Sequence, residues 1–461
     1  MACSAWMFDK QGGEAMKNFR VLIENHLNSF RTILLGFLLL ILLGALLLWL
    51  PFSSNNGQSV PFLDAMFTAT SATCVTGLVV FDTASQWTIF GRSVILLLIQ
   101  IGGLGVATAY VATLMLTGKR VGLMARVFMQ DSVSAPQLGG IAAFTKFFIK
   151  GTIIVELAGF LLLLPVFIGD FGMWRGIGYA LFHSISAFCN AGFDLLGGQV
   201  PFSSLTRYAD HAWVNIVIVL LILIGGIGFF TWRDLLENRF DFMRLRLQTK
   251  VILMASAVLL VVPFAFFFLV EFRGVPGKER ALLSLFQTVT PRTAGFNTAD
   301  YNAMSEAGVL VTILLMLVGG APGSTAGGMK ITTVSVMFLT MRAGLKGKTD
   351  INVYDRRIEG DTIRNAFLLL SIYLSLLIMG TLAISVVENM PVLTAMFECT
   401  SALCTVGLAM VNIFEMHAVS KIILMVLMYI GRVGGLTLAY GLLTSPKKET
   451  GRFPVDKMTI G

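Results

Sequence analysis

Long apolar runs alternate with short polar segments along nearly the whole chain of 461 residues. Runs such as TILLGFLLLILLGALLLWL (32–50) and VILMASAVLLVVPFAFFFLV (251–270) are long enough to cross about 30 Å of hydrocarbon as helices. The pattern predicts eight spans, near residues 31–51, 87–116, 142–169, 213–231, 250–271, 307–341, 363–386 and 416–444. A chain of this kind is expected to be an all-α integral membrane protein.

Four polar segments that resemble one another interrupt this pattern. Residues 67–77 read FTATSATCVTG, 182–192 read FHSISAFCNAG, 397–407 read FECTSALCTVG, and a shorter copy at 286–295 reads FQTVTPRTAG. They follow the first, third, fifth and seventh spans. Each lies in a stretch too short and polar to cross the bilayer alone, near 61–73, 177–188, 281–290 and 391–403. We therefore expect a re-entrant hairpin in each, with a short helix going in and a polar strand returning.

The repeated unit is thus helix, re-entrant hairpin, helix, and four such repeats are expected to surround one pseudo-fourfold pore. The predicted divisions are a cytoplasmic N-terminal arm (1–30), repeats at 31–126, 127–249, 250–348 and 349–445, and a cytoplasmic C-terminal tail (446–461). The alternative is that the small residues merely allow close helix packing. Four copies in register, each between two spans, favour the pore.

Composition and charge support a membrane protein. The chain is 56% hydrophobic and 13% charged, with a mean hydropathy of +0.81, whereas soluble domains carry about 25% charged residues. The net charge of +8 does not indicate nucleic acid, because most basic residues gather in the N-terminal arm, in the connections 117–126, 233–250 and 341–364, and in the tail. The connection 271–280, on the opposite side, is an exception. This asymmetry predicts a protein of the cytoplasmic membrane with both termini in the cytoplasm and the hairpins outside.

The glycine that ends each hairpin indicates a cation filter. An ion that leaves water needs oxygen ligands, which a ring of backbone carbonyls supplies, and glycine takes the positive φ that turns such carbonyls toward one axis. The candidate ion-binding residues are Val75, Thr76, Gly77 and Leu78, Asn190, Ala191, Gly192 and Phe193, Thr293, Ala294, Gly295 and Phe296, and Thr405, Val406, Gly407 and Leu408.

On these four segments the chain resembles the Trk/Ktr/HKT superfamily of potassium transporters, most closely the KtrB type, over residues 31–461. The resemblance implies a filter built from one polypeptide, K⁺ as the transported ion with no cofactor in this chain, and a homodimer with one pore per protomer. It also implies a separate, KtrA-like cytoplasmic ring of nucleotide-binding regulators, for which loop 341–364 is a plausible docking surface. Within the family, serine at the first filter position accompanies sodium selectivity, so Gly77 favours potassium.

The third unit contains a span that cannot be an ordinary helix. The segment VGGAPGSTAGGMKITT (318–333) places five glycines and a proline at membrane depth. In a helix interior each glycine costs about 1 kcal/mol and a proline about 3 kcal/mol relative to alanine. We expect it to unwind into a gate beneath the filter, as the resemblance also implies; the alternative is a static kink. The candidate gate residues are Gly319, Gly320, Ala321, Pro322, Gly323, Ser324, Thr325, Ala326, Gly327, Gly328 and Lys330, the last expected to reach toward cytoplasmic water.

Two arginines break the repeat. Arg432 occupies the place of Gly103, Gly226 and Gly320 when IGRVG is aligned with IGGLG, IGGIG and VGGAP. It is predicted to be a positive barrier in the pore and part of the gate, or alternatively to hold the bundle by pairing with a carboxylate or a helix end. Arg292 replaces a cysteine of the other hairpins and is predicted to be mainly structural, with a carboxylate partner from the set Asp64, Asp194, Glu388 and Glu398.

Three functions are therefore compared. Potassium uptake regulated by a separate subunit is the first, and a sodium-selective or non-selective monovalent cation channel of the same fold is the second. The third, an intramembrane enzyme, needs convergent acids, a nucleophile with its base, or a metal cluster. The spans carry no Asp/Glu/His cluster of that kind, and the chain has no nucleotide-binding motif.

Overall fold

A computed structural model describes residues 29–117, 122, 126, 129–130, 141–198, 200–348 and 350–435; the predicted tail and nearly all of the predicted N-terminal arm lie outside this part. The described chain is mostly helical. Its helices are α1 (Ser29–Trp49), α2 (Phe62–Cys74), α3 (Ile89–Leu104), α4 (Val106–Leu116), α5 (Ile141–Phe171), α6 (Met173–Phe188), α7 (Ala212–Gly226), α8 (Phe229–Glu237), α9 (Leu247–Phe266), α10 (Gly277–Val289), α11 (Glu306–Met316), α12 (Ile331–Leu345), α13 (Gly360–Glu388), α14 (Val392–Leu403) and α15 (Ala418–Val433).

Shorter elements complete the described fold. A π-helical turn, Phe267–Glu271, extends α9, and one-turn helices occupy Pro51–Ser53, Thr83–Gln86, Thr206–Tyr208, Phe242–Arg244, Tyr301–Ala303 and Ile413–Glu415. Between α12 and α13, strand β1 (Asn352–Val353) pairs antiparallel with β2 (Arg356–Arg357). This hairpin is a small departure from the all-α prediction.

Among the described residues, four helices are long and apolar enough to cross a membrane: α1, α5, α9 with its π-helical turn, and α13. Two further spans result if the bent pairs α3–α4 and α7–α8 each cross once. The predicted sixth span divides into α11 and α12, with residues 317–330 between them. The predicted eighth contains α15 but continues beyond the described residues. The count of eight therefore stays a prediction.

In the first, second and fourth units, the helix that follows the short helix ends just before the last glycine of IGGLG, IGGIG or IGRVG. Gly105, Gly228 and Gly434 have φ of +86°, +90° and +94°, a conformation that residues with a side chain rarely adopt. The helix axis turns by 96° between α3 and α4 and by 91° between α7 and α8. The third of the repeated glycine positions thus marks where the helix changes direction in the first two units, and where α15 ends in the fourth.

The short helices α2, α6, α10 and α14 agree with the predicted stretches to within four residues. Three of them begin directly after a proline: Pro61, Pro276 and Pro391 have φ of −53°, −56° and −55°. Proline suits the start of a helix because its fixed φ is helical or nearly so and its missing N–H would have no partner there.

The four units pack in a closed cycle. The helix that follows each short helix contacts the short helix of the next unit: α3 contacts α6, α7 contacts α10, α11 contacts α14, and α15 returns to α2. The units are therefore arranged around one centre in sequence order, and the last is a neighbour of the first.

A buried ion pair lies at the closure of this cycle. Lys421 of α15 approaches Asp64 in the first turn of α2, with Nζ and Oδ1 2.9 Å apart and both side chains less than a tenth exposed. Lys421 also donates to the main-chain oxygen of Phe414. The pair joins the fourth unit to the first.

We expect Lys421→Met to lower the stability of the protein by about 3–5 kcal/mol, because it leaves the Asp64 carboxylate buried without its partner. The double variant Asp64→Leu/Lys421→Met should recover most of this loss. Thermal unfolding in detergent micelles measures both. Glu237→Gln is the control, since the Arg233–Glu237 pair is half exposed and contributes little. Equal destabilisation by the single and the double variant would contradict the prediction.

Candidate functional site

The glycines that end the four repeated segments face one another in a ring. A Cβ atom placed on Gly77 would lie 3.1 Å from the Cα of Gly192, and one on Gly192 would lie 2.9 Å from that of Gly295. A Cβ on Gly295 would lie 3.3 Å from the Cα of Gly407, and one on Gly407 2.9 Å from that of Gly77. The order repeats the packing order of the units, so the structure brings together all four predicted glycines.

Each segment carries a second left-handed residue two positions before its glycine. Val75, Asn190, Thr293 and Thr405 have φ of 57°, 57°, 68° and 52°, while the residue between each of them and the glycine keeps a negative φ. This alternation turns successive carbonyl groups to the same side of the strand. Positive φ at a residue other than glycine costs on the order of 1–3 kcal/mol and is typical of functional sites. The sequence did not predict these four left-handed residues.

The repeated serine clamps this strained backbone in the first and fourth copies. The hydroxyl oxygen of Ser71 accepts a hydrogen bond from the N–H of Gly77, at 3.1 Å. Ser401 accepts from Gly407 in the same way, also at 3.1 Å. The motif Ser-Ala-x-Cys therefore has a purpose that its spacing alone does not indicate.

The other two copies use a hydroxyl in the opposite sense. Ser186 donates to the main-chain oxygen of Phe193 at 2.7 Å, and Thr290 donates to that of Phe296 at 2.5 Å. In the other three copies the serine stands six residues before the ring glycine, and this position in the third copy is Val289. The hydrogen bond from Thr290 to Phe296 shows that Thr290 takes the place of the serine. The missing residue of the third copy thus lies between this hydroxyl and the glycine.

Several buried oxygen atoms in or beside these segments have no hydrogen-bond partner among the described residues. They are the hydroxyls of Thr73, Thr76 and Thr405 and the side-chain carbonyl of Asn190. A buried polar atom without a partner costs about 1–3 kcal/mol. Such oxygens suit water or a partly dehydrated cation, which is the ligand class that the sequence predicts.

The motifs IGGLG, IGGIG and IGRVG lie in the helix that follows a short helix, and their first glycine lets that helix touch the end of a short helix. A Cβ atom on these glycines would overlap a main-chain carbonyl: Gly102 that of Thr73, Gly225 that of Phe188 and Gly431 that of Leu403. In the third unit, Gly319 faces the carbonyl of Gly327 instead, because the helix has already ended. The backbone at the ends of three short helices is thus supported in one way.

Residues 317–330 form the predicted non-helical loop, hereafter the central loop. It closes on itself through the N–H of Gly319, which donates to Met329 at 2.8 Å, and that of Ile331, which donates to Gly320 at 3.1 Å. Its glycines approach the start of the fourth segment, where a Cβ on Gly328 would lie 2.9 Å from the carbonyl oxygen of Cys404. The loop therefore lies against the ends of the segments that are farther from the glycines.

The central loop also bonds to the break between α7 and α8. Ala321 donates its N–H to the carbonyl of Gly226 at 2.9 Å, and Phe229 donates to that of Gly323 at 2.8 Å. The hydroxyl of Thr325 donates to Phe188 at the end of α6, at 3.0 Å. The loop is thus attached to the second unit as well as to its own.

Arg432 ties the central loop to the end of α3. Its Nη1 donates to the carbonyl of Thr325 at 2.5 Å, and its Nη2 donates to those of Gly102 and Gly103, the latter at 2.9 Å. The carbonyl end of a helix favours a cation. The contact with the end of α3 fits the alternative interpretation, in which Arg432 holds the bundle by pairing with a helix end. The bond to Thr325 of the central loop is the contact that the gate interpretation requires.

Lys330 is half-buried, and its predicted reach toward cytoplasmic water stays a prediction. Its Nζ turns back and donates to the carbonyl of Ala326 at 2.6 Å. Lys330 and Arg432 both line a cavity of 480 Å³, hereafter the arginine cavity, whose described lining includes no aspartate or glutamate. A second cavity of 300 Å³, the glycine cavity, is lined by all four ring glycines.

Arg292 has no carboxylate partner among the described residues, so that prediction is wrong. Its Nη2 reaches the hydroxyl of Ser256 at 3.3 Å, while Nε and Nη1 are buried without partners. The four predicted candidates bond elsewhere: Asp64 to Lys421, Asp194 to Leu196, Glu388 to His417, and Glu398 to Met410 and Val411. Distance in the fold, which the sequence does not give, separates them from this guanidinium.

Comparison with known proteins gives a family and a fold. The family described as TrkH, cation transport protein, matches residues 24–447. The Ktr system potassium uptake protein B of Bacillus subtilis is 38% identical over 434 residues, which cover 93% of this chain and 95% of that protein. The potassium/sodium uptake protein NtpJ of Enterococcus hirae is 36% identical over 450 residues, 95% of this chain and 98% of that protein.

A solved structure resembles the whole arrangement. The crystal structure of the potassium transporter TrkH from Vibrio parahaemolyticus superposes with a TM-score of 0.72, covering 90% of this chain and 85% of that one. At 20% sequence identity, this likeness concerns the fold alone.

Two adjacent glycines test how tightly the segments are supported. We expect Gly225→Ala to destabilise the protein by about 1–3 kcal/mol, because its Cβ would meet the carbonyl of Phe188 and the hydroxyl of Thr325. Gly226→Ala is the matched control, since its Cβ would meet only the side-chain nitrogen of Asn190, at an ordinary 3.5 Å. Thermal unfolding in detergent compares them. Equal melting temperatures would show that the close approach at Gly225 is not needed.

Proposed function

The chain belongs to the TrkH family of cation transport proteins, and from this premise we propose that it takes up potassium ions through the ring of four glycine segments. The observation that carries the proposal is the ring itself, with a left-handed residue and a left-handed glycine in every segment. Members of this family transport cations and are not enzymes, which removes the third hypothesis. Carbonyl groups turned to one side by alternating φ are the ligands that a dehydrated K⁺ requires.

Potassium is the ion named for the Bacillus subtilis relative, whereas the Enterococcus hirae relative is named for potassium and sodium. A K⁺-selective path is therefore the first candidate, supported by glycine at all four ring positions. A path for both ions is the second. Inward movement would follow the membrane potential, which is worth about 2.3 kcal/mol per 100 mV for a monovalent ion.

The central loop and Arg432 are proposed as the gate of this path. The loop lies at the ends of the segments farther from the glycine cavity, where ions that have passed the ring would leave it. Arg432 and Lys330 add positive charge to the arginine cavity without a carboxylate among its described lining residues. A cation would meet this barrier until the loop and the guanidinium move apart.

The membrane arrangement and the partners belong to the same proposal. We assign eight spans, four re-entrant short helices, cytoplasmic termini, and a homodimer with one pore per protomer. A KtrA-like nucleotide-binding ring would dock on the cytoplasmic connections. There the ammonium of Lys250 lies over the rings of Phe242 and Tyr354, at 5.7 and 5.3 Å, and joins loop 233–250 to the β-hairpin in one basic, aromatic surface.

We expect Gly77→Ser to reduce K⁺ uptake by at least about tenfold and to lower the preference for K⁺ over Na⁺, because its Cβ would lie 2.6 Å from the carbonyl of Ala191. Proteoliposomes that contain the purified chain, with an imposed membrane potential, measure both fluxes. Gly57→Ser is the matched control: Gly57 also has positive φ, but its Cβ would meet nothing within 4 Å. Unchanged selectivity in a folded Gly77→Ser protein would contradict the filter.

We expect Arg432→Ala to raise K⁺ flux in the absence of any regulatory subunit, on the order of tenfold, because it removes both a charge and the bond that holds Thr325. Deletion of part of the loop, residues 322–324, should act in the same direction. The same proteoliposome assay measures the rates.

The control for the gate is Arg364→Ala, which removes an exposed arginine paired only with exposed Asp361. A lower melting temperature with unchanged flux in Arg432→Ala would assign the arginine to the stability of the bundle alone. Reduced flux in a folded loop-deletion variant would show that the loop does not close the path.

A further inference from the structure

The residues two positions beyond the ring glycines form a second, unequal ring. Val79, Asp194, Asn297 and Ala409 hold this place in the four segments, and all four line the glycine cavity. One copy thus contributes a carboxylate, its neighbour a carboxamide, and the other two contribute apolar side chains. The described lining of this cavity contains no lysine, arginine or histidine, so Asp194 is its one charged side chain.

The carboxylate of Asp194 is only partly used by the protein. Its Oδ1 accepts the N–H of Leu196 at 3.0 Å, and no other hydrogen bond to this side chain is formed by the described residues. The nearby Asp82 is more fully occupied, since it accepts the N–H of Ser85 at 2.8 Å and that of Phe202 at 3.4 Å. The second oxygen of Asp194 is therefore available to the cavity.

Asn297 occupies the same local structure in the next copy. Its Oδ1 accepts the N–H of Ala299, two residues on, at 2.9 Å, as Asp194 does from Leu196. The two side chains are thus held by one kind of turn on neighbouring segments. A carboxylate at position 297 would be presented to the cavity as the one at 194 is.

We propose that Asp194 is the outermost cation-binding group of the protein, where a hydrated monovalent cation docks before it loses water at the glycine ring. This inference rests on the proposed function. A single negative charge in a narrow cavity with low-dielectric walls raises the local concentration of cations and the rate of their capture. It acts on entry, whereas the glycine ring acts on dehydration.

The test is K⁺ uptake into proteoliposomes as a function of external K⁺. We expect Asp194→Asn to raise the half-saturating K⁺ concentration about three- to tenfold with little change in maximal rate, because it removes the charge but keeps the oxygen that Leu196 needs. The assay is run at external pH 8, since burial raises the pKa of Asp194 to about 7, with the neighbouring Asp82 acting in the same direction.

The matched variant is the exchange Asp194→Asn/Asn297→Asp, which moves the charge by one segment and leaves the composition unchanged. It should restore the half-saturating concentration to within about twofold of the original. An unchanged value in Asp194→Asn, or a raised value that the exchange does not restore, would overturn the inference. Failure of the unsubstituted chain to carry any cation would instead sink the proposed function.

Discussion

A backbone that alternates between positive and negative φ cannot form the repeating hydrogen bonds of a helix or a sheet, and the rest of the structure depends on this constraint. Each of the four segments gives up regular hydrogen bonding and adopts positive φ twice within three residues. Such a backbone persists only where its surroundings hold it. The short helix before it supplies a hydroxyl clamp, and the first glycine of the following helix in units one, two and four brings that helix against the short helix's last carbonyls. The glycines of the ring, and the first glycine of the following helix in these three units, are therefore placed where backbone approaches backbone.

The sequence predicted these elements well where glycine and proline residues or the regular spacing of the repeats define them. The glycine at the end of each segment marks its C-terminal boundary, and the ends of the short helices were predicted to within four residues. The prolines before three of these helices were not used in that prediction. The unwound central loop was predicted because five glycines and a proline cannot make a stable helix. The positive φ of Val75, Thr293 and Thr405 could not be predicted, since β-branched residues disfavour it and only the closed ring imposes it.

The contacts of charged residues were the least predictable. A long side chain bonds to a group that lies near it in the folded structure, and the sequence does not give that distance. Arg292 was expected to meet a carboxylate and instead reaches the hydroxyl of Ser256. Lys330 was expected to reach water, and the sequence did not indicate that its ammonium also bonds to the carbonyl of Ala326 in its own loop. Arg432 was singled out because its three counterparts have no side chain, and it bonds to the central loop and to the end of α3. A break in an internal repeat therefore indicates where a charge matters, but not what it contacts.

The departures from fourfold symmetry also place side chains of opposite charge at the two ends of the proposed ion path. Among the described lining residues, the glycine cavity has one acidic side chain, Asp194, and the arginine cavity has two basic ones, Lys330 and Arg432. In the proposed path, a cation that crosses the ring would thus move from an attractive to a repulsive field, so that selectivity and closure would be supplied by different groups. The central loop is also connected to the second unit, because the N–H of Phe229, the first residue of α8, donates to the carbonyl of Gly323. At its other end, Asp234 of α8 accepts the N–H of Arg246 in loop 233–250. In the proposed mechanism, a displacement of residues 233–250 would therefore act on the central loop through α8, and the bond from Arg432 to Thr325 would oppose it from the fourth unit.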